Sequence, residues 1–94
     1  MQAKWRVKLS SKAEKQVLKL DKKPFDAIMS YLKQLEFIDN PRSTGKALQG
    51  NLKGLWRYRV GNYRIICNIQ DKELTIYAVD IDHRKNIYRH KVGN

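Results

Sequence analysis

The dipeptide Gly61-Asn62 constrains this chain more than any other feature. It separates two runs rich in strand formers, Leu55 to Val60 and Tyr63 to Ile69, and a Gly-led pair between such runs closes a two-residue β-hairpin. That turn fixes a register: Val60 faces Tyr63, Arg59 faces Arg64 and Arg57 faces Ile66. Side chains alternate across a strand. Trp56, Tyr58, Val60, Tyr63, Ile65, Cys67 and Ile69 therefore share one apolar face, and Arg57, Arg59 and Arg64 share the other.

The rest of the chain supplies what such a hairpin needs to pack on. Lys4 to Leu9 alternates basic and apolar residues and reads as a half-buried strand. Ser11 and Glu14 have capping-box spacing, and Ala13, Val17 and Leu20 continue at helical spacing. Asp21 starts a second helix, with Pro24 in its first turn and Phe25, Ile28, Met29, Leu32 and Leu35 as a core stripe to about residue 37. Residues 39–54 read as a loop pinned by Leu48 and Leu52. If Asp71-Lys72 closes a second hairpin, Glu73 to Ile81 is the last strand. Leu74, Ile76 and Ala78 then face the core, Tyr77 and Val79 join the arginine face, and Arg64 pairs with Val79. The expected fold is α+β: a single domain over residues 1–94, two N-terminal helices on a mainly antiparallel four-stranded sheet, and a short basic C-terminal segment.

Opposed like charges destabilise a sheet, so Arg59 facing Arg64, with Arg57 two positions along, calls for an explanation. An anionic ligand provides one, because the planar guanidinium fork suits phosphate. Solvated arginines on an open sheet face are the plain alternative. Composition favours the ligand. The chain has 20 Lys+Arg against 9 Asp+Glu, a net charge of +11, and a field of that sign attracts polyanions. Nucleic acid is the expected partner, and an acidic protein could occupy the same surface. Tyr77 beside the arginines resembles a platform for stacked bases. Lys46, Lys53 and Arg89 add basic charge for binding.

Other chemistries find little support. One cysteine, Cys67, permits no internal disulfide and, among isoleucines, reads as a buried inert thiol. Two histidines and one cysteine do not make a zinc site, and no metal or cofactor is expected. No apolar run approaches the roughly 18 residues of a membrane span, and the N-terminus lacks a signal-peptide core. A cytoplasmic protein that does not engage membranes is expected. His83 is a candidate for proton transfer, since an unperturbed pKa of about 6.5 suits acid–base work near neutrality. A solvated surface histidine is the alternative.

Two segments, Leu48-Gln49-Gly50-Asn51-Leu52-Lys53-Gly54-Leu55-Trp56-Arg57-Tyr58-Arg59-Val60-Gly61-Asn62-Tyr63-Arg64-Ile65-Ile66 and His83-Arg84-Lys85-Asn86-Ile87-Tyr88-Arg89, resemble the RelE/ParE toxin superfamily in order and spacing. The resemblance implies the toxin of a type II toxin–antitoxin system, silenced by a cognate acidic antitoxin. RelE-type members cut mRNA in the ribosomal A site, so ribosome and mRNA are implied partners, with no direct DNA contact. ParE-type members share the fold and poison DNA gyrase instead. The ending with Tyr88 resembles the RelE side and implies a metal-independent endoribonuclease. A binding module without catalysis is a third reading.

By the same resemblance, Arg57 and Arg59 fall where well-known members have catalytic lysines. Arg64 matches a phosphate-binding arginine, Tyr88 a base-stacking tyrosine, and Arg84 the arginine before it. The implied reaction is attack of a ribose 2′-OH on the adjacent phosphate, leaving a 2′,3′-cyclic phosphate and a 5′-OH. Arginine is not deprotonated in proteins, so neither Arg57 nor Arg59 serves as a base. His83 is the expected proton carrier, with Tyr88 second and Lys46 or Lys53 behind.

Overall fold

The computed structural model describes residues 2–83. In chain order they form β1 (Arg6–Leu9), α1 (Ser11–Leu18), α2 (Lys22–Leu35), β2 (Lys46–Ala47), a 3-10 turn (Gly50–Leu52), β3 (Trp56–Val60), β4 (Tyr63–Gln70) and β5 (Thr75–His83). The strands make one sheet in the order β1-β5-β4-β3-β2. β1 runs parallel to β5 and the other pairs are antiparallel. The sheet thus has five strands where four were expected. The extra one is a two-residue segment inside the expected loop, too short to leave a periodic signal.

The helices begin where polar residues can serve their first turns. Ser10, not Ser11, is the N-cap of α1, its hydroxyl accepting from the Ala13 N–H at 3.0 Å. Asp21 precedes α2 in extended conformation, and Pro24 sits in the first turn, where its missing N–H costs nothing. Both helices lie on one face of the sheet. Ala13 and Val17 from α1 and Ile28, Leu32 and Leu35 from α2 meet Tyr58, Ile65, Cys67, Ile69, Ile76, Ala78 and Ile81 from the strands. Met29 stands at the rim and is 36% exposed, so the α2 stripe is narrower than its sequence suggests. Ile28, Ile65 and Ile76 are fully buried, each worth about 1.5–3 kcal/mol of apolar transfer.

The β3–β4 register is the expected one, with Val60 opposite Tyr63 and Arg59 opposite Arg64. The β4–β5 register differs. The turn takes four residues, Asp71 to Leu74, with Leu74 at φ 49° and its N–H donating to Asp71 O. Gln70 then pairs with Thr75, and Leu74 is 45% exposed in the turn, not part of the core. A second departure follows at Ile66/Cys67: Cys67 pairs with Ala78 but Ile66 pairs with Asp80, leaving Val79 as the extra residue of a β-bulge.

The bulge reverses the parity of the strand end. A straight ladder continuing from Cys67–Ala78 would set Ile81 opposite Arg64 and turn Asp80 and Asp82 toward the helices. With one residue looped out, Ile81 pairs with Ile65 and is 2% exposed in the core, and Asp82 stands opposite Arg64. The expected Arg64–Val79 pair is therefore replaced by Arg64–Asp82. Among the described residues no helix is long and apolar enough to cross a membrane.

Candidate nucleic-acid interface

The sheet face turned away from the helices is built in rows fixed by strand pairing. One row carries Arg59, Arg64 and Asp82 across β3, β4 and β5. The next carries Lys46 on β2, Arg57 on β3, Ile66 on β4 and Asp80 on β5. Beyond it lie Asn68, Tyr77 and Lys8, then Gln70, Thr75 and Arg6. Six basic side chains from four strands, β1 to β4, thus share a face. Arg6, Lys8, Lys46 and Arg59 are exposed and Arg57 is half-buried. The Lys8 ammonium lies 6.0 Å from the centre of the Tyr77 ring, a cation–π contact that orients the aromatic within the basic field.

Arg64 differs from the others in being buried, at 2% exposure. Ile66 beside it is also buried yet stands outside the helical core cluster. Burying a guanidinium is costly unless charge and hydrogen bonds compensate it. Asp82 pairs with Arg64 across the ladder on β5, a neighbour that the expected Arg64–Val79 register did not foresee.

The loop between α2 and β3 delivers Lys46 to this face and is held at several points. Trp56 Nε1 donates to Thr44 O at 2.7 Å, and the buried Tyr58 hydroxyl donates to Pro41 O at 2.5 Å. Burial pushes the Tyr58 phenol above its ordinary pKa. Arg42 makes two 2.9 Å hydrogen bonds to the Asp71 carboxylate, tying the loop to the β4–β5 turn. That bidentate contact holds the Asp71 carboxyl below the usual carboxylate range. Gly45, at φ +83°, lies so close to β3 that a Cβ there would be 2.5 Å from both Arg57 O and Trp56 Nε1.

The expected site residues fall into three groups. Arg57, Arg59, Arg64, Tyr77 and Lys46 come together on one face. Lys53 is on no strand of that face; it is exposed in the loop just after the 3-10 turn. His83 lies on the other side of the sheet's alternation. It pairs with Tyr63 in the row of Val60, its ring edge-on to Tyr63 with centroids 5.3 Å apart. Arg84, Tyr88 and Arg89 lie outside the described residues. Arg6 and Lys8 were not anticipated. Their alternation with Trp5 and Val7 was visible, but which strand they would neighbour was not.

Comparison with known proteins agrees with this architecture. In Mycobacterium tuberculosis, Toxin RelG is 39% identical over 49 residues, 52% of this chain and 56% of that protein. The chain thus matches little more than half the length of that relative. The RelBE2 toxin–antitoxin complex from the same organism contains a chain 27% identical, with a TM-score of 0.77, covering 89% of this chain and 94% of that one. The archaeal RelE–RelB complex from Pyrococcus horikoshii gives 26% identity and a TM-score of 0.69 over 86% of this chain and 96% of that one. The family model for the ParE toxin of the parDE type II toxin–antitoxin system matches residues 7–88. With that match over most of its length, the chain belongs to the RelE/ParE superfamily of type II toxins.

Proposed function

We propose that this toxin is a ribosome-dependent endoribonuclease that cuts mRNA in the A site and so inhibits translation. The observation that carries the reading is the basic helix-free face. Basic side chains from β1, β2, β3 and β4 converge there, with Tyr77 on β5 available to stack on a base. The reaction is attack of a ribose 2′-OH on the adjacent phosphorus: the hydroxyl proton passes to solvent water, the new O–P bond forms a 2′,3′-cyclic phosphate, and the bond to the 5′-oxygen breaks. Arg57, Arg59 and Arg64 stabilise the charge that develops on the phosphoryl oxygens.

Proton delivery at this face is assigned differently from the sequence expectation. The His83 ring sits against Tyr63 on the opposite face. Lys46 stands directly across from Arg57, and its ammonium can protonate the departing 5′-oxygen. Arg84, Tyr88 and Arg89 keep the roles expected of them: Arg84 as the family's arginine that precedes the tyrosine, Tyr88 in base stacking and Arg89 in RNA binding. A cognate acidic antitoxin is the proposed regulator; the RelBE2 neighbour is a toxin–antitoxin complex.

A ParE-type activity against gyrase is the second reading, favoured by the description of the matching family model. Programmed ribosomes with primer extension test the first reading, and a supercoiling assay tests the second. A-site cuts without gyrase inhibition support the nuclease; the reverse pattern supports the ParE-type reading.

A further inference from the structure

β5 outruns its neighbour. β1 ends at Leu9, opposite Ala78, and the Ser10 N–H donates to Ala78 O. Among the described residues, no strand lies beside the outer edge of β5 from Val79 onward, and edge groups left open are a liability unless something covers them. Side chains of α1 and its cap take that place. Ser10 Oγ donates to Val79 O at 3.3 Å, and the Ile81 N–H donates to Gln16 Oε1 at 2.6 Å. The other end of the same amide is also used, Gln16 Nε2 donating to Asp80 Oδ1 at 2.7 Å. Lys12 Nζ lies 3.5 Å from Asp80 Oδ2. One glutamine thus grips both residues that follow the bulge.

We propose that Gln16 is a positioning residue for the basic face: its amide locks the Val79 bulge and so holds Asp82 on the row of Arg59 and Arg64. Bulges beside functional sites re-aim side chains, and here the re-aimed residue is a carboxylate across from a buried guanidinium. Burial of Ile81 supplies the apolar half of the lock and Gln16 the polar half. Without the amide, the Ile81 N–H loses its partner and residues 80–83 loosen, so the carboxylate across the ladder from Arg64 is no longer held on its row. The cations Lys8, Lys46 and Arg57 are on β1, β2 and β3, away from the bulge, and keep their places. RNA binding is then retained and the chemical step suffers. The activity arm of this inference rests on the nuclease reading; the structural arm does not.

The test compares wild type, Gln16→Ala, Gln16→Glu, Asp80→Asn and the double variant Gln16→Glu/Asp80→Asn. The double variant reverses the donor–acceptor sense toward residue 80 but leaves an oxygen for the Ile81 N–H. The single Gln16→Glu change sets two carboxylates against each other. Expected are faster hydrogen exchange at the Ile81 amide in Gln16→Ala and Gln16→Glu and near wild-type exchange in Asp80→Asn and the double variant. Cleavage on programmed ribosomes should fall by roughly 10- to 100-fold in kcat for the two loosened variants, a loss typical of misplacement on the scale of an ångström. KM should change by less than about twofold, since the binding cations are untouched. Unchanged Ile81 exchange in Gln16→Ala, equal losses in kcat and KM, or no recovery in the double variant would overturn the proposal. If wild type itself does not cut RNA, the nuclease reading fails separately. The lock is then decided by Ile81 exchange and by whether backbone proton contacts between Arg64 and Asp82 weaken in Gln16→Ala.

Discussion

Asp82 stands directly across the β4–β5 ladder from Arg64, while Arg59 stands across from Arg64 on its other side. The middle strand therefore carries a buried guanidinium between a like charge and an opposite one. The Asp82 carboxylate also accepts from the His83 N–H at 2.7 Å, which keeps it at the strand end. Replacing Asp82 by Ala should destabilise the fold by about 1–3 kcal/mol, the usual consequence of leaving a buried polar group poorly compensated. Urea denaturation compares the variant with wild type, and an unchanged midpoint would rule out a compensating role for Asp82.

Proton transfer separates Lys46 from His83. Lys46→Ala should reduce cleavage by about 100-fold, within the usual range for general acid–base catalysis. Lys46→Arg should restore binding of single-stranded RNA but not turnover, because arginine holds its proton. His83→Ala should retain most activity. Single-turnover cleavage on programmed ribosomes reads all three, and a large loss in His83→Ala alone would return the role to the histidine.

The basic face should bind RNA with a steep dependence on salt, because each engaged cation releases condensed counterions. Removing Arg57 or Lys8 singly should lower the slope of log K against log salt by about 0.7 for a single strand. Lys53→Ala, off that face, should leave the slope unchanged. Fluorescence anisotropy over a salt series measures it.

Gly45 holds the loop that presents Lys46. Its left-handed φ and its closeness to Arg57 and Trp56 leave no room for a methyl group. Gly45→Ala should cost about 1–3 kcal/mol in stability, as strain at a special backbone conformation does. It should also disturb the Trp56–Thr44 hydrogen bond, visible as a shift in tryptophan emission.

Two ionisable groups give pH and reactivity signatures. Asp71 titrates below its ordinary range because Arg42 binds its charged form. The contribution of the clamp is present above the unfolded carboxylate pKa and is lost as pH falls through the lower folded one. The difference in Tm between wild type and Asp71→Asn should therefore be small, present at pH 6, and gone under strong acid. Burial pushes the Cys67 thiol up to about 12, so a disulfide reagent at pH 8 should label the unfolded chain and leave the native one unmodified.

What the sequence made legible was local. Gly61-Asn62 specified a turn type, the turn specified a register, and the Arg59–Arg64 pair followed. The β4–β5 register was hidden because Asp71-Lys72 resembles a two-residue turn, while the chain uses four residues and a left-handed Leu74. The bulge was hidden for a related reason: one looped-out residue, Val79, leaves no mark on composition but inverts every side chain after it. Tyr77 was assigned to the correct face although its partner was not, since the error in register was even in that stretch. At His83, past the bulge, the altered parity sends the ring to Tyr63. Parallel pairing of β1 with β5 could not be read either, because no turn joins them. That pairing brings Arg6 and Lys8 to the basic face.

The most direct test of the account is to add the purified toxin to ribosomes carrying a defined mRNA and to map new 5′ ends by primer extension, with Arg64→Ala alongside. Cuts confined to the A-site codon, and lost in the variant while its fold persists, are the predicted result. Intact mRNA under conditions where the wild-type protein is folded and bound would contradict it.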